Sequence, residues 1–279
     1  MPVMQRRIDR IIPAEQVIAD QEMVLWRALP RPDRLSLGPF VFIDHYRSSS
    51  PRGIGDKPHP HAGIEVLSYL LEGGMQHRDS LGNTDTIGAF DAQHIHAGRG
   101  VLHAEKPLGP RHGLQLWTNL PPELKLTEPR YRSFPAATIP ELRKPGAQLR
   151  VVAGKIDTAE GPVRFTTPTL FVHAKLEPNA STMIELDAGL ELGVYVMAGA
   201  ARIGDAKLQP GALGLLGPGP RLELTCAGGA ADVIVLGGAP AQGEILFSGP
   251  FVMDTVERLS QAKRDFSTGR MGRLDGVPH

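Results

Sequence analysis

Between residues 40 and 120, apolar and polar positions alternate in short runs such as EVLSYLLEG, MQHRDSLGNTDTIG and VLHAEKP, each closed by Gly, Pro, Asn or Asp. A period of two puts successive side chains on opposite faces of a strand, so these runs predict antiparallel strands joined by tight turns. Residues 79–83, DSLGN, hold Gly and Asn, which tolerate positive φ, and form a predicted hairpin tip. Strand-like runs return from residue 148 onward, as RVVAGKI, LFVHAKL, LGVYVMAG, ARIGDAKLQPG and ADVIVLGG. The Pro-rich, weakly patterned stretch 121–145 lies between them and reads as a connection, which divides the chain into domains 1–135 and 146–279. One helix is predicted over 255–266, within the second domain. Asp254 and Glu257 fit a capping box, and Val256, Leu259 and Phe266 share a face.

Composition narrows the choice of partners. The 279 residues carry 30 Lys+Arg and 30 Asp+Glu, so the chain has no net charge with which to coat nucleic acid or an anionic membrane. Gly (32) and Pro (25) are spread along the whole chain, which suits many short strands and turns. Cys226 is the sole cysteine, which excludes an intrachain disulfide and a Cys-based zinc site, and a reducing compartment follows. The first residues lack the apolar core of a signal peptide, and no run approaches the roughly 18 to 20 apolar residues that span a bilayer. A cytoplasmic protein with small or neutral partners is expected.

The histidines locate the chemistry. Eight of the ten, His45, His59, His61, His77, His94, His96, His103 and His112, fall between residues 45 and 112. A lone strand histidine is ordinarily a polar residue satisfied by backbone groups, but here the spacing is paired. In His59-Pro60-His61 both imidazoles share one strand face, and Pro60, which cannot donate to a ladder, places that strand at a sheet edge. His103 and Glu105 repeat the spacing after the AGRG turn at 97–100. Three nitrogens and one carboxylate suit Fe(II), Mn, Co, Ni, Zn or Cu, and in a six-coordinate ion leave two positions for water, substrate or dioxygen. His94-x-His96 is a rival pair with the same spacing. His45, His77 and His112 receive no role. Gln115 and Trp117 are candidate pocket residues, although a strand aromatic is more often core. Arg99 is a candidate partner for a carboxylate or for neighbouring carbonyls.

The order Gly53, five residues, His59-x-His61, three residues, Glu65, seven residues, Gly73, and later Gly100-x-x-His103 resembles the two-part metal motif of the cupins. The stretches HPHAGIEVLSYLLEGGMQHRDSLGN, AGRGVLHAEKP, HGLQLWTNLP and GPFVMDTVERLSQAKRDFSTGRMG resemble the pirin family, and this resemblance covers almost the whole chain. It implies an all-β bicupin, two cupin-type β-barrels with a short C-terminal helix. The N-terminal barrel would hold one divalent transition metal, Fe(II) first, with Mn, Ni, Co, Cu or Zn as other occupants. The pirin pattern maps its ligands onto His59, His61, His103 and Glu105. The general cupin pattern would use Glu65 instead of Glu105, and strand parity allows either. The second half contains only His173 and His279, so its barrel is expected to be metal-free.

Three functions are compatible with this resemblance. The first is a dioxygenase of the quercetinase type acting on a small aromatic substrate such as a flavonol, with Glu105 as the catalytic proton acceptor. The second is a non-enzymatic, redox-responsive iron protein acting through a protein partner. The third is an isomerase or hydrolase using the metal as a Lewis acid. Ala62, Ile64, His94 and His96 depart from the residues common in pirins, which are Arg, Phe, Trp and Thr, and the departures bear on the pocket rim and substrate choice.

Overall fold

The alternating runs form strands, and in the computed structural model the strands build one arrangement twice, a seven-stranded sheet set against a four-stranded one. The structure describes residues 4–50, 55–226 and 228–274, so Gly53 and His279 lie outside the described residues. In one unit the seven-stranded sheet runs in the order Arg130–Phe134, Ala92–His96, Ile64–Glu72, Arg111–Asn119, Phe40–Ser48, Met23–Leu29, Glu15–Ala19. Its four-stranded sheet is His59–His61, Val101–Pro107, Met75–Asp79, Thr84–Ile87. In the other unit the seven strands are Ile8–Pro13, Ala212–Leu216, Glu191–Ala198, Ala231–Gly238, Thr169–Leu176, Ala147–Ala153 and Glu141–Lys144. Its four-stranded sheet is Ser181–Glu185, Arg221–Cys226, Ala201–Ile203, Ala206–Leu208. Each pair of sheets encloses its own interior, as in a cupin barrel. Among the described residues, no helix is long and apolar enough to cross a membrane.

The units are not divided where the Pro-rich stretch suggested. One comprises residues 16–25, 41–136 and the described residues after 240, and the other the described residues before 16, 26–40 and 137–240. The reason is strand pairing: Ile8–Pro13 adds to the edge of the second barrel, with Ile8 opposite Leu216 and Ile12 opposite Leu213. Residues 121–145 are also more than a connection. Arg130–Phe134 pairs with Ala92–His96, and Glu141–Lys144 pairs with Ala147–Ala153, so the stretch supplies an edge strand to each large sheet.

The helix Val256–Ser267 belongs to the first barrel, not to the second half of the chain. Thr255, not Asp254, is its N-cap and accepts from the Arg258 backbone N–H, while Asp254 pairs with the Arg258 guanidinium at 2.8 Å. Its inner face is Leu259 and Ala262, whereas Val256 and Phe266 are exposed. These residues pack with Ala62, Leu102, Ala104, Phe251, Met253, Met271 and Leu274. Leu102 and Ala104 alternate with His103 and Glu105, so the helix covers the outer face of the strand whose inner face carries candidate ligands.

Candidate metal centre

Strand pairing brings the predicted ligands together. His103 lies directly opposite His59 in the antiparallel ladder, and alternation turns His61 and Glu105 to the same interior. The ring centroids of His59 and His103 are 4.2 Å apart, those of His61 and His103 5.0 Å, and those of His59 and His61 5.1 Å. One ring nitrogen from each of the three lies within 4.8 Å of the others.

Hydrogen bonds fix the tautomers of two of the rings. His59 Nδ1 donates to the Lys57 carbonyl at 3.0 Å, and His61 Nδ1 to the Pro250 carbonyl at 3.3 Å. A carbonyl only accepts, so in the neutral form of both rings Nε2 keeps its lone pair. Among the described residues, His61 Nε2 and both nitrogens of His103 are buried without a hydrogen-bond partner. Burial first, and then the charge of neighbouring His59, holds His61 down to about 3, and the same causes together with His61 and His77 hold His103 well below its ordinary value. Both rings are therefore neutral near pH 7, which is the state a metal requires. Buried, convergent and unpaired imidazole nitrogens are costly in an empty core, and a divalent transition metal fits them.

Glu105 is held beside the histidines by three side chains. Its Oε1 accepts from Ser68 Oγ at 3.3 Å and from Gln93 Nε2, and its Oε2 accepts from Gln115 Nε2 at 3.4 Å. His103 Nδ1 is 3.9 Å from Glu105 Oε1. A narrow pocket of about 20 Å³, lined by Tyr46, Met75, Arg111, Gln115 and Glu105, reaches this carboxylate.

Glu65 is not part of this group. Gly63, at φ +76°, turns the chain between His61 and Ile64, where an added Cβ would sit 1.9 Å from the Val252 carbonyl oxygen. The fully buried Lys125 locks this turn, its Nζ donating to Gly63 O at 2.9 Å, Asn119 Oδ1 at 2.8 Å and Val252 O at 2.9 Å. Parity restarts after the turn. Ser68 then faces Glu105, and Glu65 takes the opposite face, with its Oε1 3.3 Å from both His94 Nε2 and His96 Nδ1. The rival pair His94 and His96 is thus brought to Glu65 and away from the three-histidine cluster.

The remaining candidates divide between packing and support. Trp117 does both, stacking on Phe42 at 4.0 Å and setting its ring 5.0 Å from that of His61. Arg99 binds the Glu128 carboxylate through two nitrogens, at 3.0 and 2.8 Å. His45 and His112 bond each other at 2.6 Å. His77, unassigned from the sequence alone, is fully buried against the centre, with its ring centroid 5.6 Å from that of His103. Its neighbour Asp79 shapes the hairpin tip, accepting from the Leu81 and Asn83 backbone N–H groups at 2.9 Å each. The HRD spacing, which puts His77 and Asp79 on one strand face, was the signal available.

Two double-sheet barrels in one chain, one with three histidines and a glutamate facing its interior, define a bicupin with a candidate metal centre in one barrel. Residues 23–118 match the Pirin family and residues 171–272 match the Pirin C-terminal cupin domain, and the chain belongs to the pirin family. It is 37% identical to "Pirin" from Homo sapiens over 254 residues, 88% of this chain and 87% of the relative. It is 31% identical to a "Putative quercetin 2,3-dioxygenase" from Vibrio cholerae over 275 residues, 95% of this chain and 97% of the relative. The crystal structure of "Quercetin 2,3-dioxygenase" from Acinetobacter baumannii superposes with a TM-score of 0.87 at 28% identity, covering 96% of this chain and 99% of that one.

Proposed function

We propose that His59, His61, His103 and Glu105 hold one divalent transition metal, Fe(II) first, and that the chain is a dioxygenase of the quercetinase type acting on a small flavonol-like aromatic. The observation that carries this reading is the convergence of three imidazoles, of which His61 and His103 are buried and neutral, with Nδ1 of His59 and of His61 tied to carbonyls. The names of the Vibrio and Acinetobacter relatives support the reaction class.

When bound, the ion supplies Lewis acidity toward a substrate hydroxyl and open positions for substrate and dioxygen. The protein's residues do the rest. His59 and His61 are oriented by their carbonyl partners. Glu105 accepts the proton of the substrate hydroxyl, and Gln93, Ser68 and Gln115 keep its carboxylate directed at the centre. Trp117 and Phe42 wall the site with apolar surface, which suits an aromatic substrate.

The test is dioxygen uptake and carbon monoxide release on adding quercetin to protein loaded with Fe, Mn, Ni, Co or Cu. Turnover with at least one ion is expected, and none with the His59→Ala/His103→Ala double variant. Absence of turnover with every ion overturns the oxygenase reading and leaves the redox-responsive regulator, tested by comparing partner recovery on ferrous and ferric protein.

A further inference from the structure

Nδ1 of His59 and of His61 has a carbonyl partner, whereas among the described residues neither ring nitrogen of His103 has a hydrogen-bond partner. A metal-binding imidazole ordinarily donates its second N–H to a carbonyl, a carboxylate or a water, which fixes the ring and raises its basicity. Lys57 and Pro250 provide this for the first two. His103 Nδ1 instead lies 3.9 Å from Glu105 Oε1, in a niche that these two residues share with His77.

The niche is built from paired strands. In the ladder between Val101–Pro107 and Met75–Asp79, Glu105 lies opposite His77 and His103 opposite Asp79. His77 Nε2 donates to Asp79 Oδ2 at 3.2 Å, so in the neutral ring Nδ1 is an acceptor, and among the described residues that atom is buried without a hydrogen-bond partner. The Tyr131 ring stacks on His77 at 4.0 Å and 8°, which fixes the plane of the imidazole. Asp79 is fixed in turn, because Asn83 Nδ2 donates to its Oδ2 at 2.8 Å.

One ring nitrogen of His77, one of His103 and one oxygen of Glu105 all lie within 4.8 Å of one another. The point between three such atoms is within about 2.8 Å of each, which is the length of a hydrogen bond. The polarity also matches a single water: His103 Nδ1–H donates to it, and its two protons go to His77 Nδ1 and to Glu105. A second metal at this point would place two dications on one imidazole with one carboxylate between them in a buried site, where their repulsion is poorly screened.

We propose that His77, held by Asp79 and Tyr131, is a positioning residue for the metal centre, orienting His103 and Glu105 through one bridging water. The inference rests on the metal assignment above. His77→Phe keeps the stack on Tyr131 and removes the acceptor, whereas His77→Asn restores an acceptor near the Nδ1 position.

Co(II) titrated into the metal-free full chain, followed by its visible absorption, tests both statements separately. Wild type should bind one equivalent and His59→Ala none; retention of full binding by His59→Ala overturns the metal assignment. His77→Phe should bind Co(II) about 10- to 100-fold more weakly with shifted visible bands, and His77→Asn should recover part of both. Near-ultraviolet circular dichroism of the metal-free variants separates this loss from misfolding, and if His77→Phe does not fold, His77→Asn and His77→Gln carry the comparison. Affinities within twofold of wild type and unchanged bands in every folded His77 variant overturn the proposal. A second equivalent of Co(II) in wild type that His77→Phe abolishes also overturns it, by making the niche a metal site.

Discussion

The two barrels share one plan of strands and differ in what fills them. Val101–Pro107 and Arg221–Cys226 occupy the same place in their four-stranded sheets, each beside a short edge strand, His59–His61 in one and Ser181–Glu185 in the other. The first pair sends His59, His61, His103 and Glu105 inward. The second sends Thr182, Ile184, Leu222, Leu224 and Cys226, with Leu149, Val172, Val194 and Val235 from the large sheet closing on most of them. One interior is thus an ordinary apolar core, in which each fully buried aliphatic side chain contributes about 1.5–3 kcal/mol. The other holds imidazole nitrogens without hydrogen-bond partners among the described residues, each costing about 1–3 kcal/mol when nothing bonds to it. The same scaffold serves stability in one copy and, in the function proposed above, ligand capture in the other.

The largest test of this contrast is metal itself. Ion at 1,000 times its Kd should stabilise wild type by about 4 kcal/mol in denaturant unfolding, and His103→Leu should abolish the gain. Next, Leu222→Ala in the apolar barrel should cost about 3 kcal/mol whether or not metal is present, because it opens a cavity in the interior that carries none of the candidate ligands. A metal-dependent loss would show the two interiors to be coupled.

A smaller effect of opposite sign is expected from His103→Leu in the metal-free protein. Replacing a fully buried, unpartnered ring by an aliphatic side chain should raise stability by about 1–2 kcal/mol, and a fall of that size would mean the histidine is packing rather than waiting for a ligand. A further effect is a pH slope. The unfolded His61 takes a proton near 6.5 and the folded one only near 3. Below 6.5 the unfolded state therefore binds more protons, so metal-free stability should be flat above 6.5 and fall toward pH 3, by up to about 1.4 kcal/mol per pH unit for this group. His61→Leu should flatten that slope, and an unchanged slope would assign it elsewhere.

Much of the fold was legible in the chain because strand faces repeat every two residues. That periodicity, with Gly and Asn at the tips, foretold the hairpin at 79–83, and His59-Pro60-His61 read as an edge strand because proline has no N–H to donate. The boundary between units was not legible, since Ile8–Pro13 finds its partner about 200 residues away and no local pattern records such a pairing. Glu65 and Glu105 were equivalent by parity until Gly63 turned the chain and sent Glu65 to the opposite face. The position of His77 in the site depends on register, which places it across from Glu105.

By itself, then, the sequence determined the kind of structure and the donor set: short alternating strands, paired histidines at a spacing that puts each pair on one face, and no charge excess to draw a polyanion. Those are local properties, written in adjacent residues. Only the tertiary structure decided which carboxylate stands beside the histidines, which barrel the first strand and the last helix complete, and which histidine supports the others. Each depends on a cross-strand register or a single turned glycine, and a shift of one residue there reverses the face on which every following side chain falls.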